Sequence, residues 1–156
     1  MLLTAATTAL VREALRAAVD DEATQTDRLV GVSCLAPGTD TLFAEAVLAA
    51  GGELVAVLPS ADYRRHAAAA GPSAADRYDR LVNAASEVVL MPFGSAGQAA
   101  YEAASQEMLK RSDELFAVWD GLETGPGGGT AHTVATARDI GVPVQVIWPA
   151  TAARVD

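Results

Sequence analysis

A single cysteine, Cys34, stands in the 156-residue chain, so no intrachain disulfide can form. A lone cysteine of this kind reads as a small buried hydrophobe in a reducing compartment. Aromatic residues make up only 5% of the sequence, which leaves alanine, valine and leucine to build the core. Basic residues are also scarce, 11 against 20 acidic ones, for a net charge of −9. A field of that sign repels nucleic acid and anionic membrane surfaces, so neither is expected as a partner. It repels free nucleotides too, and any phosphate site must therefore be local, built from backbone dipoles and a few arginines. No apolar stretch has membrane-spanning length. The opening segment "MLLTAATTALVREALRAAV" is interrupted by Arg12, Glu13 and Arg16 and does not read as a secretory signal. The expected location is the cytoplasm. No cluster of His, Cys and carboxylates has metal-ligand spacing, and no Ser-His-Asp constellation is legible, so neither a metal nor a cofactor is expected.

What the chain does have is an alternation of apolar runs and helical patterns within a length suited to one domain, 1–156, with no repeat or linker. Leu10, Val11, Ala14, Leu15 and Ala18 fall at helical spacing, which predicts a helix over 4–20. "DRLVGVSCLA" predicts a strand over 28–35. "TDTLFAEAVLAAGG" reads as a helix stopped by Gly51 and Gly52. "ELVAVLP" is the next strand, 60–72 is ambiguous, and 73–85 is helical. "EVVLMP" is a third strand, "GQAAYEAASQEMLKRSD" a helix and "ELFAVWD" a fourth strand. A helix over 130–139 and a last strand in "VPVQVIWP" complete the chain. The strands are continuous apolar runs, as expected when both sheet faces are covered. The expected fold is therefore α/β: a doubly wound, mainly parallel five-stranded Rossmann-like sheet with helices on both faces.

In such a sheet, ligands bind beyond the carboxyl ends of the strands. Two loops fall at that edge. "SCLAPGTD", 33–40, contributes Ser33, Gly38, Thr39 and Asp40. "DGLETGPGGGT", 120–130, contributes Asp120, Gly121, Gly127, Gly128, Gly129 and Thr130. A helix N-terminus presents unpaired N–H groups, and glycine lets a phosphate approach them without a Cβ in the way. Asp40 and Asp120 are candidate acceptors for ribose hydroxyls. Against this, a glycine-rich loop can be a plain connection, and Asp40 a plain N-cap.

These blocks resemble the SLOG superfamily, Rossmann-like proteins related to the cytokinin-activating LOG enzymes, to the nucleotide-binding part of DprA/Smf and to the YpsA group. "GVSCLAPGTDTLFAEAVLAAGGELVAVLP" is similar to that family's G-x-D, helix, Gly-Gly, strand and Pro block. "MLKRSDELFAVWDG" is similar to its later strand ending in Asp-Gly, and "GGGTAHTVATARDIGVPVQVI" to its Gly-Gly-Thr loop, helix and final strand. The likeness covers residues 4–149 with the blocks in order. It implies a doubly wound fold and a nucleotide or nucleotide-derived phosphorylated ligand, held at Gly38, Asp40, Asp120, Gly128, Gly129 and Thr130.

Three departures qualify the resemblance. LOG enzymes carry P-G-G-x-G-T-x-x-E, whereas this chain has "PGGGTAHT", with Thr133 at the place of the catalytic glutamate. Glu123 and His132 are weak substitutes for that acid. The family opens with a strand ahead of the first helix, and no such strand is visible here. Its absence leaves a neighbouring strand edge unpaired, which another chain would cover, favouring a homo-oligomer. Finally, Ser105 stands where several relatives have Asn, which draws attention to Tyr101 as a base-stacking platform. Tyr63, Arg64, Arg65 and His66 start near the binding edge, and Arg64 or Arg65 is a weak candidate for a bidentate phosphate contact, the alternative being a solvated helix start. The leading expectation is a nucleotide-binding protein of the sensor kind. The alternatives are an N-glycosidase with a relocated acid, or a structural oligomer with a decayed site.

Overall fold

The computed structural model describes residues 3–123 and 129–153. Eleven elements alternate along it. Helix α1 (Ala5–Ala23) leads to strand β1 (Val30–Ser33), α2 (Thr39–Ala49) and β2 (Glu53–Leu58). The short α3 (Tyr63–Ala68) and α4 (Pro72–Ala84) follow, then β3 (Glu87–Leu90), α5 (Gln98–Lys110) and β4 (Leu115–Val118). Helix α6 (Thr130–Asp139) and β5 (Val144–Ile147) end the series.

Each helix starts for a local reason. The Thr4 hydroxyl caps α1 by accepting from the Thr7 N–H at 3.1 Å. Val11, Leu15 and Val19, four residues apart, form its buried stripe. Pro72 opens α4, where its missing N–H costs nothing. The ambiguous 60–72 segment resolves into α3 and the start of α4. Its start is fixed by Asp62, whose carboxylate accepts from the Ser60 hydroxyl at 2.7 Å and from the Ala96 N–H at 2.8 Å.

All strand pairs are parallel, as the continuous apolar runs suggest, but they do not form one sheet. β1, β2 and β3 form a three-stranded sheet in that order, and β4 and β5 form a second, two-stranded sheet. The expected five-stranded sheet is thus corrected to two small parallel sheets. Among the described residues, β1 pairs only with β2, and β4 only with β5. Covered faces are also not universal. Val88 and Leu90 on the edge strand β3 remain 45% and 56% exposed.

The core follows this division. Leu54 and Ala56 of β2 pack with Leu35, Ala44, Tyr78 and Leu81, joining the first sheet to α2 and α4. Val118 and Ile147 of the second sheet pack with Val11, Leu15 and Leu42 of α1 and α2. Helices α1 and α2 therefore span both sheets, and their mutual packing is the broadest between any two helices of the fold. Phe43 of α2 meets Phe116 of β4 edge-to-face, with ring centroids 6.1 Å apart. Among the described residues no helix is long and apolar enough to cross a membrane.

β1 lies so close to α2 that Gly31 has no room for a side chain. A Cβ there would stand 2.5 Å from Cγ2 of Val47, itself buried. Gly31→Ala is therefore expected to lower unfolding stability by about 1–3 kcal/mol through overpacking. Gly94→Ala, into open space, is expected to change it by less than about 0.5 kcal/mol. Urea denaturation of the two variants checks the contrast.

Candidate functional site

One cavity of about 1030 Å3 runs between the two sheets, from the amino ends of β1 and β4 to their carboxyl ends. At the carboxyl end its wall gathers Ser33, Thr39 and Asp40 from the loop after β1 with Gly129, Thr130 and Thr133 from the start of α6. Two segments about ninety residues apart in the sequence thus meet where α/β ligand sites form. Tyr63 of α3, with Tyr101 and Ser105 of α5, closes the wall. Tyr63 and Tyr101 contact edge-to-face at 6.3 Å, and Tyr101 is 42% exposed. A ring held at its edge with an open face is a fit for a planar base.

The 33–40 loop holds its own shape. The Leu35 N–H donates to the Ser33 hydroxyl at 3.1 Å, and the Ala36 N–H donates to Oδ2 of Asp40 at 3.0 Å. Asp40 therefore is not the N-cap. Gly38 occupies that position, with φ of 103° and no side-chain cap. Asp40 sits in the first turn of α2 and reaches back across the loop. Burial pushes its carboxyl above the ordinary range, against the opposing effect of the Ala36 N–H. Burial likewise pushes the Cys34 thiol and the Tyr63 phenol up, with Asp40 adding to both. Both groups stay protonated at neutral pH, so Cys34 is no nucleophile.

At α6, Gly129 takes the N-cap position with φ of 86°, a left-handed conformation that a side chain would strain. Its carbonyl accepts from Thr133 rather than from a cap side chain, and no acidic residue occupies the first turn. The N-terminus of α6 thus meets the cavity with no acidic residue in its first turn. Gly127 and Gly128 lie outside the described residues.

Other candidates stand elsewhere. Asp120 accepts from the Leu122 N–H at 2.9 Å within the 119–122 turn, and neither it nor Gly121 lines the cavity. Gly38 lines a separate small depression beside α4. Arg64 is engaged by Asp79 of α4 through two 2.8 Å bonds. This bidentate pair ties α3 to α4 and takes Arg64 out of phosphate contact. Arg65 is exposed and does not line the cavity. Nor do Glu123 and His132. His132 faces Glu102 of α5 at 3.5 Å. His66, read from the sequence as starting near the binding edge, does line the cavity; the sequence reading gave no site role to Cys34, which also lines it, or to Asp62, which pins the 91–97 loop to α3. Position directly after a strand is the signal that would have found Cys34. Among the described residues no cluster could hold a metal ion.

No family model and no curated protein sequence matches this chain. The site must be read from its own geometry.

The raised Asp40 carboxyl has a consequence for stability. Its ionised form is disfavoured in the folded state, so its contribution is best below the ordinary value of 3.8 and is lost as pH rises through the raised native value. Asp40→Asn keeps an oxygen for the Ala36 N–H and cannot ionise. The variant is expected to match or exceed the parent in stability at neutral pH, with the difference vanishing below pH 3.8. Asp40→Ala, which removes the acceptor, is expected to fall below Asp40→Asn by about 1–3 kcal/mol. Urea denaturation across pH checks both.

Proposed function

We propose that this protein binds a nucleotide or a related phosphorylated nucleoside at the carboxyl-end mouth of the cavity, in the manner of a sensor. The observation that carries the reading is the convergence of the 33–40 loop and the α6 N-terminus on one cavity beside Tyr101. Helix N–H groups and the Thr130 hydroxyl take the phosphate, because no arginine of the described residues lies at that end of the wall. Tyr101 takes the base. Asp40, while ionised, accepts from the sugar hydroxyls with the oxygen not used by Ala36.

The finer architecture belongs to the same reading. The chain runs outward through β1, β2 and β3, then returns to β4 and β5 on the other side of the cavity. The two sheets act as halves of one doubly wound Rossmann-like array, and the mouth lies where the strand order reverses, the usual ligand position in such folds. The resemblance to SLOG proteins supports the same ligand class.

The N-glycosidase alternative has little support. Thr133 occupies the place of the glutamate that such chemistry uses, and neither Glu123 nor His132 reaches the cavity wall.

Thermal denaturation with nucleoside mono-, di- and triphosphates, ribose 5-phosphate and free bases tests the reading. At least one phosphorylated nucleoside is expected to raise Tm, worth about 2.7 kcal/mol at a hundred times its Kd. Thr130→Ala and Tyr101→Ala are expected to shrink that shift, with the ligand recovered intact. Release of free base transfers the site to the glycosidase reading, and no shift with any member overturns binding.

A further inference from the structure

The buried polar side chains Thr7, Ser33, Thr41 and Ser60 each have a hydrogen-bond partner inside the protein. Two polar ends at the cavity mouth, where the slot between the edges of β1 and β4 opens, do not follow that pattern. The first is Tyr63. The residue is 5% exposed, and its hydroxyl makes no hydrogen bond among the described residues. Edge-to-face contacts with Tyr78 at 6.1 Å and Tyr101 at 6.3 Å hold the ring, and with it the hydroxyl, in place. The second is Asp40. Its Oδ2 accepts from the Ala36 N–H, while Oδ1 has no bond among the described residues. The residue is half-buried and its carboxyl enclosed, as for a group that opens onto a cavity rather than onto the outer surface. Asp40 is the group whose charge bears most on the Tyr63 phenol, which makes the two ends neighbours. Buried polar groups take partners, tyrosine hydroxyls included. Here the partner comes from what fills the cavity.

The donor and acceptor capacity of the pair narrows the choice. A phenol O–H both gives and takes a hydrogen, and Oδ1 of Asp40 takes one when ionised and gives one when protonated. An oxo group on a base only takes, and an amino group only gives, so each suits Asp40 in one state alone. A phosphate only takes, and its charge is repelled by an ionised Asp40. A hydroxyl gives and takes, so it suits both residues in either state. Two vicinal hydroxyls offer one such group to each. We propose that Tyr63 and Asp40 together hold the cis-diol of a ribose, and that the Tyr63 hydroxyl selects ribonucleotides over 2′-deoxyribonucleotides. The proposal rests on the nucleotide reading: that reading brings the sugar to Asp40, and this one adds what the sugar must carry. Tyr63 touches the Tyr101 platform, so a base stacked there brings its own sugar within reach of both groups.

Ribonucleoside phosphates and their 2′-deoxy counterparts, titrated side by side against the parent and Tyr63→Phe, test this. The substitution keeps the ring and removes only the hydroxyl. In the parent, the ribo form is expected to bind at least about tenfold tighter than the deoxy form. In Tyr63→Phe the ratio is expected to fall to within about threefold, through weaker ribo binding with deoxy binding unchanged. Ligand-free Tyr63→Phe is expected to melt no lower than the parent, because the hydroxyl has no internal bond to lose. A lower Tm for the ligand-free variant means that the hydroxyl is satisfied within the protein, and overturns the proposal without any nucleotide present. Equal affinity for the two sugars in the parent, or a preference that Tyr63→Phe leaves intact, also overturns it, while the nucleotide reading stands. Absence of binding by every nucleoside phosphate removes that reading and the proposal with it, a result distinct from the others.

Discussion

The arrangement rests on a single constraint: among the described residues β1 and β4 are each paired by a strand on one side only, and their other edges line one cavity. Backbone N–H and C=O groups left without partners away from water are costly, about 1–3 kcal/mol each. The fold tolerates the slot because side chains bridge it from one face. α1 and α2 lay a continuous apolar layer over both sheets, through Val11, Leu15 and Leu42 against Val118 and Ile147. Val19 and Val47, with Phe43 and Phe116 packed against them, make the second bridge. The sheets are thus held in place by helices rather than by each other.

The candidate site is a product of the same constraint. Because the chain turns outward after β1 and comes back at β4, the loop ahead of α2 and the glycine-led start of α6 end on either side of one opening. The 33–40 loop is rigid by its own bonds, Ser33 to Leu35 and Asp40 to Ala36. The partially charged end of α6 has no cap side chain and no first-turn acid. In a chain of net charge −9, that local arrangement matters more for an anion than the surface does.

The helices and strands were legible because their signals are local. The four-residue spacing of Val11, Leu15 and Val19 names a helix face, and "ELVAVLP" names a buried strand. Pairing is not local. Nothing in "DRLVGVSCLA" or "ELFAVWD" says that the two strands stop short of each other, although a missing opening strand was expected. The exposed Val88 and Leu90 were equally hidden, since an apolar run does not tell whether it lies at an edge. At the site, the cavity wall gathers Ser33, Thr39, Asp40, Gly129 and Thr130, which the rule of strand carboxyl ends singles out, with Tyr101 and Ser105, which only the family resemblance singles out. Asp40 was misjudged as a possible N-cap because its real partner, the Ala36 N–H, depends on the loop's path. Arg64 looked available because nothing in the sequence shows that the 73–85 helix folds back to set Asp79 against it.

Residue-resolved amide hydrogen exchange on the 156-residue chain tests the central claim most directly. The account predicts that amides of β1 and β4 directed into the slot exchange far faster than those of β2, which is paired on both sides. Equal protection across β1, β2 and β4 would mean that the two sheets are closed upon each other, and would contradict it.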